Sequence, residues 1–93
     1  NSRAYTLIRT PEFGTVVQME VGAMLVGRIV NHEQEAQVIR GAEKGMFQYG
    51  GSTIIVLIGK DQVQMREDLL KNAQFGVETA VQMGETIGYA KMD

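Results

Sequence analysis

Glycine and β-branched residues limit what this sequence can fold into. The 93 residues include 11 glycines, a single proline and many Val, Ile and Thr residues. β-Branched side chains favour extended backbone, whereas glycine supplies the positive φ angles of tight turns. The sequence therefore predicts an all-β fold, built from short strands that glycine-containing turns connect.

Strand, turn and helix signals can be placed along the chain. Pro11 and Gly14 predict a turn, because proline presets φ and glycine permits positive φ. Arg66–Gln74 is the one helical segment, since its apolar residues recur at helical spacing and Gly76 suits a C-terminal stop. Further turns are predicted at 41–45, 59–61 and 83–85. Extended segments are predicted at Ala4–Thr10, Thr15–Val21, Ala23–Val26, Arg28–Val30, Val38–Arg40, Met46–Tyr49, Ser52–Ile58, Val77–Val81 and Thr86–Ala90.

Ser52–Ile58 carries the strongest strand signal in the chain. Its apolar residues follow one another without alternation, which predicts a strand buried on both faces. The longest purely apolar run, Ile54–Ile58, is far shorter than the roughly 20 residues of a membrane-spanning helix. We therefore expect no spanning segment.

Charge and composition exclude several classes of function. The formal net charge is −2, and no run of Lys or Arg occurs, so nucleic acid is not an expected partner. The chain has no cysteine, and His32 is its single histidine, so no metal site is expected. The N-terminus lacks an initiator Met and the pattern of a signal peptide, which suggests a piece of a longer protein.

Gly50-Gly51-Ser52-Thr53 is the motif with the clearest chemical potential. A serine follows two glycines and opens the strongest strand. On these residues alone, a bend whose serine caps a backbone group competes with a reactive serine. A serine hydroxyl is a weak nucleophile unless a base activates it, so the motif by itself leaves both interpretations open.

The wider sequence resembles phosphatidylserine decarboxylase proenzymes. The residues at 49–57 resemble the self-cleavage site of that family, in which Gly-Ser-Thr precedes an apolar strand. Residues 21–29 look like its Val-Gly-Ala-x-x-Val-Gly-x-Ile motif, and residues 43–49 look like its segment before the cleaved bond. Residues 66–70 and 77–88 resemble its closing segment. These matches run in order along nearly the whole chain.

The resemblance implies a specific chemistry. Ser52 would attack the Gly51 carbonyl, cleave the chain and become a covalent pyruvoyl cofactor. The intact enzyme would then convert phosphatidylserine to phosphatidylethanolamine. Residues 1–51 would form the end of the β subunit, and residues 52–93 would form the α subunit. Phe47 and Tyr49 alternate onto one face of the strand entering the site, where they would bind substrate or pack in the core.

The resemblance also implies an architecture and partners. The fold would be the barrel-sandwich hybrid of biotinyl and lipoyl carrier domains. The upstream part of the proenzyme would supply the Asp and His that activate Ser52. The 93 residues alone should therefore stay uncleaved, or be cleaved very slowly, and should be soluble and inactive. The intact enzyme would bind a phospholipid at the cytoplasmic face of a membrane, as a peripheral protein that contacts the bilayer through upstream residues. His32 is expected in an exposed loop. The intact enzyme could be a monomer or a homo-oligomer.

Two alternatives to this function remain open. The first is a non-catalytic β domain, acting as a carrier or interaction module, in which Gly50-Gly51-Ser52 is only a bend. The second is a pyruvoyl-dependent decarboxylase that acts on another amino substrate. A carbonyl at residue 52 would exclude the non-catalytic domain. Identification of the reaction product would distinguish phosphatidylserine from another amino substrate.

Overall fold

The computed structural model describes residues 2–22, 28–31, 37–48 and 52–91. Within those ranges the chain forms seven strands and one helix. In chain order they are β1 (Ser2–Thr10), β2 (Gly14–Gly22), β3 (Arg28–Asn31), β4 (Gly45–Gln48), β5 (Ser52–Ile58), β6 (Val63–Met65), α1 (Glu67–Gln74) and β7 (Gly88–Ala90). The predicted segment Ala23–Val26 and the loop around His32 lie outside the described residues.

The strands form three small sheets. The largest has the order β1-β2-β5, so β2 is its central strand. Strand β3 pairs antiparallel with β4, and β6 pairs antiparallel with β7. The prediction of an all-β fold with one short helix is confirmed. The barrel-sandwich-hybrid arrangement stays a prediction.

The chain divides into two compact units. The first unit comprises residues 1–8 and 16–57, and the second comprises residues 9–15 and 58–93. Central strand β2 and the β3–β4 pair belong mainly to the first unit, which also holds Ser52. Helix α1 and the β6–β7 pair belong to the second.

A side chain fastens the predicted turn between β1 and β2. The Phe13 N–H donates to Thr10 Oγ1 at 2.9 Å, and the Thr10 hydroxyl donates to the Gly14 carbonyl oxygen at 2.9 Å. Gly14 has φ of +70°, which explains why glycine occupies this position. The turn is therefore confirmed where proline and glycine predicted it.

Strand β5 is exposed, so the prediction that both of its faces are buried is wrong. Four consecutive residues, 54–57, are between 41% and 53% exposed. The strand stands at one end of the order β1-β2-β5 and has β2 as its neighbour there. Its apolar residues therefore lack cover from the rest of the described chain. The uninterrupted apolar pattern indicated that both faces of the strand are suited to burial. It did not indicate which part of the protein packs against them.

Helix α1 ends as the sequence predicted. Gly76 has φ of +69°, and its N–H donates to the Ala73 carbonyl oxygen at 3.0 Å. The N–H of Val77 donates to the Asn72 carbonyl oxygen at 2.9 Å. A glycine in the left-handed conformation thus satisfies carbonyl groups that the last helical turn leaves unpaired.

Two predicted strands are absent. Val77–Val81 does not pair into a sheet. Instead, its first residue is hydrogen-bonded to the end of α1, and the Asn72 side chain donates to Thr79 Oγ1 at 2.8 Å. Val38–Arg40 is also no strand: the carbonyl of Ile39 accepts from the Ala42 N–H at 3.0 Å, which forms a turn instead. In both segments, local hydrogen bonds replace the sheet pairing that β-branched residues favour.

The last two strands differ in extent from the prediction. Val63–Met65 was not predicted, since three residues give too short a pattern to distinguish from a loop. It forms β6 by pairing with β7, and β7 covers only Gly88–Ala90 of the predicted Thr86–Ala90. The register pairs Val63 with Ala90 and Met65 with Gly88.

Candidate active site

Ser52 is the first residue of β5 and is half-buried. It lies in the three-stranded sheet beside central strand β2. Gly51, whose carbonyl is the predicted target of the Ser52 hydroxyl, lies outside the described residues, as does Gly50. The structure thus describes the serine side of the predicted cleaved bond, and the strand that holds it, but not the bond itself.

Strand β4 leads towards the predicted cleavage site from the other side. Its residues pair with β3 in a fixed register, in which Phe47 lies opposite Ile29 and Met46 lies opposite Val30. Phe47 is half-buried, which is compatible with core packing and with a contribution to a pocket. Tyr49, the second predicted substrate-binding residue, lies outside the described residues. The predicted substrate role of both residues therefore stays a prediction.

A buried acidic residue in the same unit was missed by sequence reasoning. Glu20 on β2 is only 6% exposed, and its Oε2 accepts from Lys44 Nζ at 2.8 Å. The same oxygen accepts from Gln18 Nε2 at 2.9 Å. A buried carboxylate needs such partners, because loss of hydration disfavours its charged form. Removing one partner of a buried ion pair typically costs about 3–5 kcal/mol.

The alternation along β2 explains why this residue was missed. Val16, Glu20 and Gly22 are buried and point to the same face, because they are separated by even numbers of residues. The apolar residues Met19 and Val21 lie on the opposite face and are only half-buried. A hydrophobic pattern favours the second face as the core. The signal that could have identified Glu20 is its position as the single acidic residue of an otherwise largely apolar strand.

A second polar cluster lies in the other unit, around Arg66. This residue precedes α1, and its Nε and Nη2 donate to the two carboxylate oxygens of Asp68 at 2.6 and 2.8 Å. Its Nη1 donates to Glu85 Oε2 and, at 2.8 Å, to the Thr86 carbonyl oxygen. The N–H of Arg66 donates to the Ile87 carbonyl oxygen at 2.9 Å. One arginine therefore ties the start of α1 to the segment before β7.

These contacts shift the pKa values of the charged partners. Hydrogen bonds from Arg66 hold the pKa of Asp68 and the pKa of Glu85 below their ordinary values. The hydrogen bonds to Asp68 and then to Glu85 raise the pKa of Arg66, so this guanidinium stays charged. Asp68 also lies in the first turn of α1, where a carboxylate interacts favourably with the helix dipole. We call Arg66, Asp68 and Glu85 the clasp, because their contacts hold two segments of the chain together. None of the three is an identified nucleophile.

The described part of the chain contains neither a candidate metal cluster nor a helix that could span a membrane. No group of three or more His, Cys, Asp and Glu residues there is arranged to hold a metal ion. None of its helices has the length and apolar character needed to cross a membrane. His32 lies outside the ranges that the structure describes.

Comparison with known proteins identifies the family. The sequence model of the family described as phosphatidylserine decarboxylase matches residues 1–89. The chain belongs to the phosphatidylserine decarboxylase family. Ser52, the first residue of β5, lies within this family match, which includes residues of both units.

Curated relatives support the same assignment. Phosphatidylserine decarboxylase proenzyme 2 of Clostridium acetobutylicum is 47% identical over 88 residues, covering 95% of this chain and 30% of the relative. The proenzyme of Clostridium botulinum strain Hall is 39% identical over 92 residues, covering 98% of this chain and 31% of the relative. The proenzyme of Chlamydia caviae is 45% identical over 89 residues, covering 95% and 30%.

The comparison also defines how much of the relatives is represented. The chain spans about 30% of the length of the curated relatives it matches. No solved structure gives a significant match. The family is therefore shown by sequence comparison, whereas the structure shows that the strand opened by Ser52 pairs with β2.

Proposed function

We propose that this chain is the part of a phosphatidylserine decarboxylase proenzyme that contains the self-cleavage site, with cleavage between Gly51 and Ser52. The whole protein then converts phosphatidylserine to phosphatidylethanolamine by releasing CO2. The observation that carries the proposal is the position of Ser52: it opens β5 directly after Gly50-Gly51, inside a family match covering residues 1–89. The name proenzyme, shared by the relatives, supports a processing step.

The first chemical step is an acyl shift from nitrogen to oxygen. The Ser52 Oγ attacks the Gly51 carbonyl carbon, and its proton passes to a base. The C–N bond then breaks, the nitrogen of residue 52 takes up a proton, and an ester joins the two residues. Glycine before the serine supports this step, because a residue without Cβ leaves the path to its carbonyl open. A serine also needs a base to act as a nucleophile.

The second step separates the two pieces. A base removes the proton from Cα of residue 52, the Cβ–Oγ bond breaks, and the Gly51 carboxylate leaves with the electron pair. Residue 52 becomes dehydroalanine, whose tautomer adds water and releases ammonia. The result is a pyruvoyl group on the new N-terminus, with no external oxidant or reductant required.

The position of Ser52 at the start of a paired strand supports a pyruvoyl group there. Ser52 is half-buried at the start of a strand that β2 pairs with, so the new N-terminus would remain attached to the sheet after cleavage. When formed, a pyruvoyl group supplies a carbonyl that reacts with the substrate amine and accepts the electron pair left by departing CO2. β2 belongs to residues 1–51 and β5 to residues 52–93, so their pairing would also hold the two subunits together.

The rest of the proenzyme is the proposed partner of this chain. Four apolar residues of β5, Ile54–Leu57, are about half exposed, which favours cover by another part of the protein. The same upstream part would supply the base for Ser52, contact the membrane surface as a peripheral protein and complete the phospholipid site. We therefore expect the 93 residues alone to stay uncleaved and inactive.

Borohydride trapping tests the proposal against its two alternatives. The full-length protein is incubated with phosphatidylserine and then reduced, and the labelled residue is located by peptide mass spectrometry. Attachment of the substrate amine at residue 52 is the expected result, with phosphatidylethanolamine as the lipid product. Absence of any carbonyl at residue 52 would identify a non-catalytic module. Trapping with a different amine, without release of phosphatidylethanolamine, would identify another substrate.

A further inference from the structure

Strand β5 ends its sheet without any residue that discourages further strand pairing. Its seven residues, Ser52–Ile58, include no charged residue, no proline and no glycine. Among the described strands β2 is its one neighbour, and we call the edge of β5 that faces away from β2 the outer edge. Soluble proteins usually protect an open edge with charges, proline or bulges, because an apolar edge readily pairs with another strand. The sequence of β5 is therefore typical of a strand with a neighbour on each side.

Strand β1, at the other end of the same sheet, provides the contrast. It carries Arg3 and Arg9, which are both exposed. Its exposure alternates along the strand: Tyr5 and Leu7 are 63% and 70% exposed, whereas the residues on either side of each are half-buried. Because alternate side chains point to opposite faces, one face of β1 is covered and the other, charged face meets solvent.

The exposure of β5 does not alternate. Ile54 and Val56 point to one face and are 53% and 50% exposed, while Ile55 and Leu57 point to the other and are 41% and 53% exposed. A layer packed on the sheet would cover only one of these two sets. A strand beside the outer edge would contact both sets, because paired strands lie about 4.8 Å apart and their side chains meet on both faces. The exposed surface of β5 thus fits an additional strand.

We propose that the outer edge of β5 pairs with a strand from the part of the proenzyme outside residues 1–93, so that β5 becomes an interior strand. The chain spans about 30% of the length of the curated relatives it matches, so most of such a protein lies outside it. Main-chain hydrogen bonds hold the added strand, and burial of Ile54–Leu57 stabilises it further. This inference rests on the proposed function in treating the chain as part of a longer proenzyme, and it adds how the two parts are joined.

Amide hydrogen exchange in the full-length protein tests the added pairing. Successive N–H groups of a strand point to opposite edges, so one set, Ile54 with Val56 or Ile55 with Leu57, is directed to the outer edge. With both edges paired, all four amides should exchange on the order of 100-fold or more slower than in an unstructured peptide. Fast exchange of either set, with slow exchange of the other, would show an open edge and overturn the inference.

Crosslinking identifies the strand that pairs with β5. The full-length protein is synthesised with photo-leucine, which replaces Leu57 by a residue of nearly the same shape, and crosslinks are located by mass spectrometry. We expect Leu57 to be joined to a segment outside residues 1–93. A mixture of light and isotopically heavy protein is the control, since it separates crosslinks within one molecule from those between two. Crosslinks of Leu57 to a second copy, or only to other residues of 1–93, would overturn the proposed pairing.

The outcomes separate this inference from the proposed function, because neither measurement depends on cleavage. Protection of all four amides in a full-length protein that is never cleaved before residue 52 would retain the pairing and reject the proposed function. Cleavage before residue 52 with an open outer edge on β5 would retain the proposed function and reject the pairing.

Discussion

Arg66 and Glu85 join the beginning of α1 to the segment before β7. The Nη1 of Arg66 donates to Glu85 Oε2 across 19 residues of sequence, while its Nε and Nη2 hold Asp68. The second oxygen of Glu85 accepts from the Gln82 N–H at 3.1 Å, which fixes the turn that contains Gly84. A guanidinium suits this role because its donors diverge in one plane and can bind two carboxylates together.

Replacing Arg66 is expected to loosen the segment from Gln82 to Ile87. Arg66→Met removes its side-chain contacts with Asp68, Glu85 and the Thr86 carbonyl, so amide hydrogen exchange in that segment should become faster. Arg66→Lys should restore little of the protection, because an ammonium group lacks the planar fork. Lys71→Met, which removes a basic residue from the last turn of α1, is the matched control. Unchanged exchange in Arg66→Met would contradict the clasp.

The carboxylates of this clasp should make stability depend on acid pH. Folding lowers the pKa of Asp68 and the pKa of Glu85, so the stabilisation is complete above their ordinary values of 3.8 and 4.5. It is lost as the pH falls through the lower, folded-state values, where both groups become protonated. The melting temperatures of wild type and Asp68→Asn should therefore differ at neutral pH and converge in strong acid.

The control for this pH dependence is Glu67→Gln, which removes a carboxylate from the same helical turn. Its melting temperature should follow that of the wild type more closely over the acid range. A difference between wild type and Asp68→Asn that grows as the pH falls would have the opposite sign and would contradict the lowered pKa of Asp68.

Gly76 should resist substitution by residues with a side chain. Its φ of +69° lies in the left-handed region, where a Cβ costs roughly 1–2 kcal/mol. Gly76→Ala is expected to destabilise the end of α1 by about that amount, measured as faster amide exchange of the helix. Gly76→Asn should cost less, since asparagine tolerates this conformation better. Equal losses for alanine and asparagine would show that the backbone conformation is not the cause.

Ser52 should be specifically required among the neighbouring hydroxyl residues. Ser52→Ala removes the nucleophile, so the full-length protein is expected to remain one piece and to release no CO2 from phosphatidylserine. Thr53→Ala changes the next hydroxyl along β5, an exposed side chain, and should be cleaved within a fewfold of the wild-type rate. Loss of cleavage in both variants would point to β5 as a whole rather than to its first residue.

Local patterns predicted the turns of this chain well, because single residues determine them. Gly14, Gly76 and Gly84 all adopt positive φ in turns that the sequence indicated. The turn at 59–61 is also present, but there the positive φ of 63° belongs to Asp61 rather than to a glycine. Aspartate tolerates this conformation, so the composition of the turn located it without specifying which residue would take the strained angle.

Burial was predicted less well, because it depends on partners that a linear pattern does not contain. The apolar residues of β5 are exposed, whereas Glu20 on β2 is buried. Both results depend on neighbours that are distant in sequence. Strand β5 lies at the end of its sheet with β2 as its neighbour, whereas the carboxylate of Glu20 is paired with the ammonium group of Lys44. Ser52 was found through its motif, whereas the Glu20–Lys44 pair required the three-dimensional arrangement.

The most direct test of this account is the mass of the full-length protein after synthesis and folding. Two pieces are expected, divided between Gly51 and Ser52. The C-terminal piece should be lighter by one ammonia than a piece beginning with serine, and blocked to N-terminal sequencing. A protein that remains a single chain while converting phosphatidylserine to phosphatidylethanolamine would contradict the account, as would a C-terminal piece that begins with an intact serine.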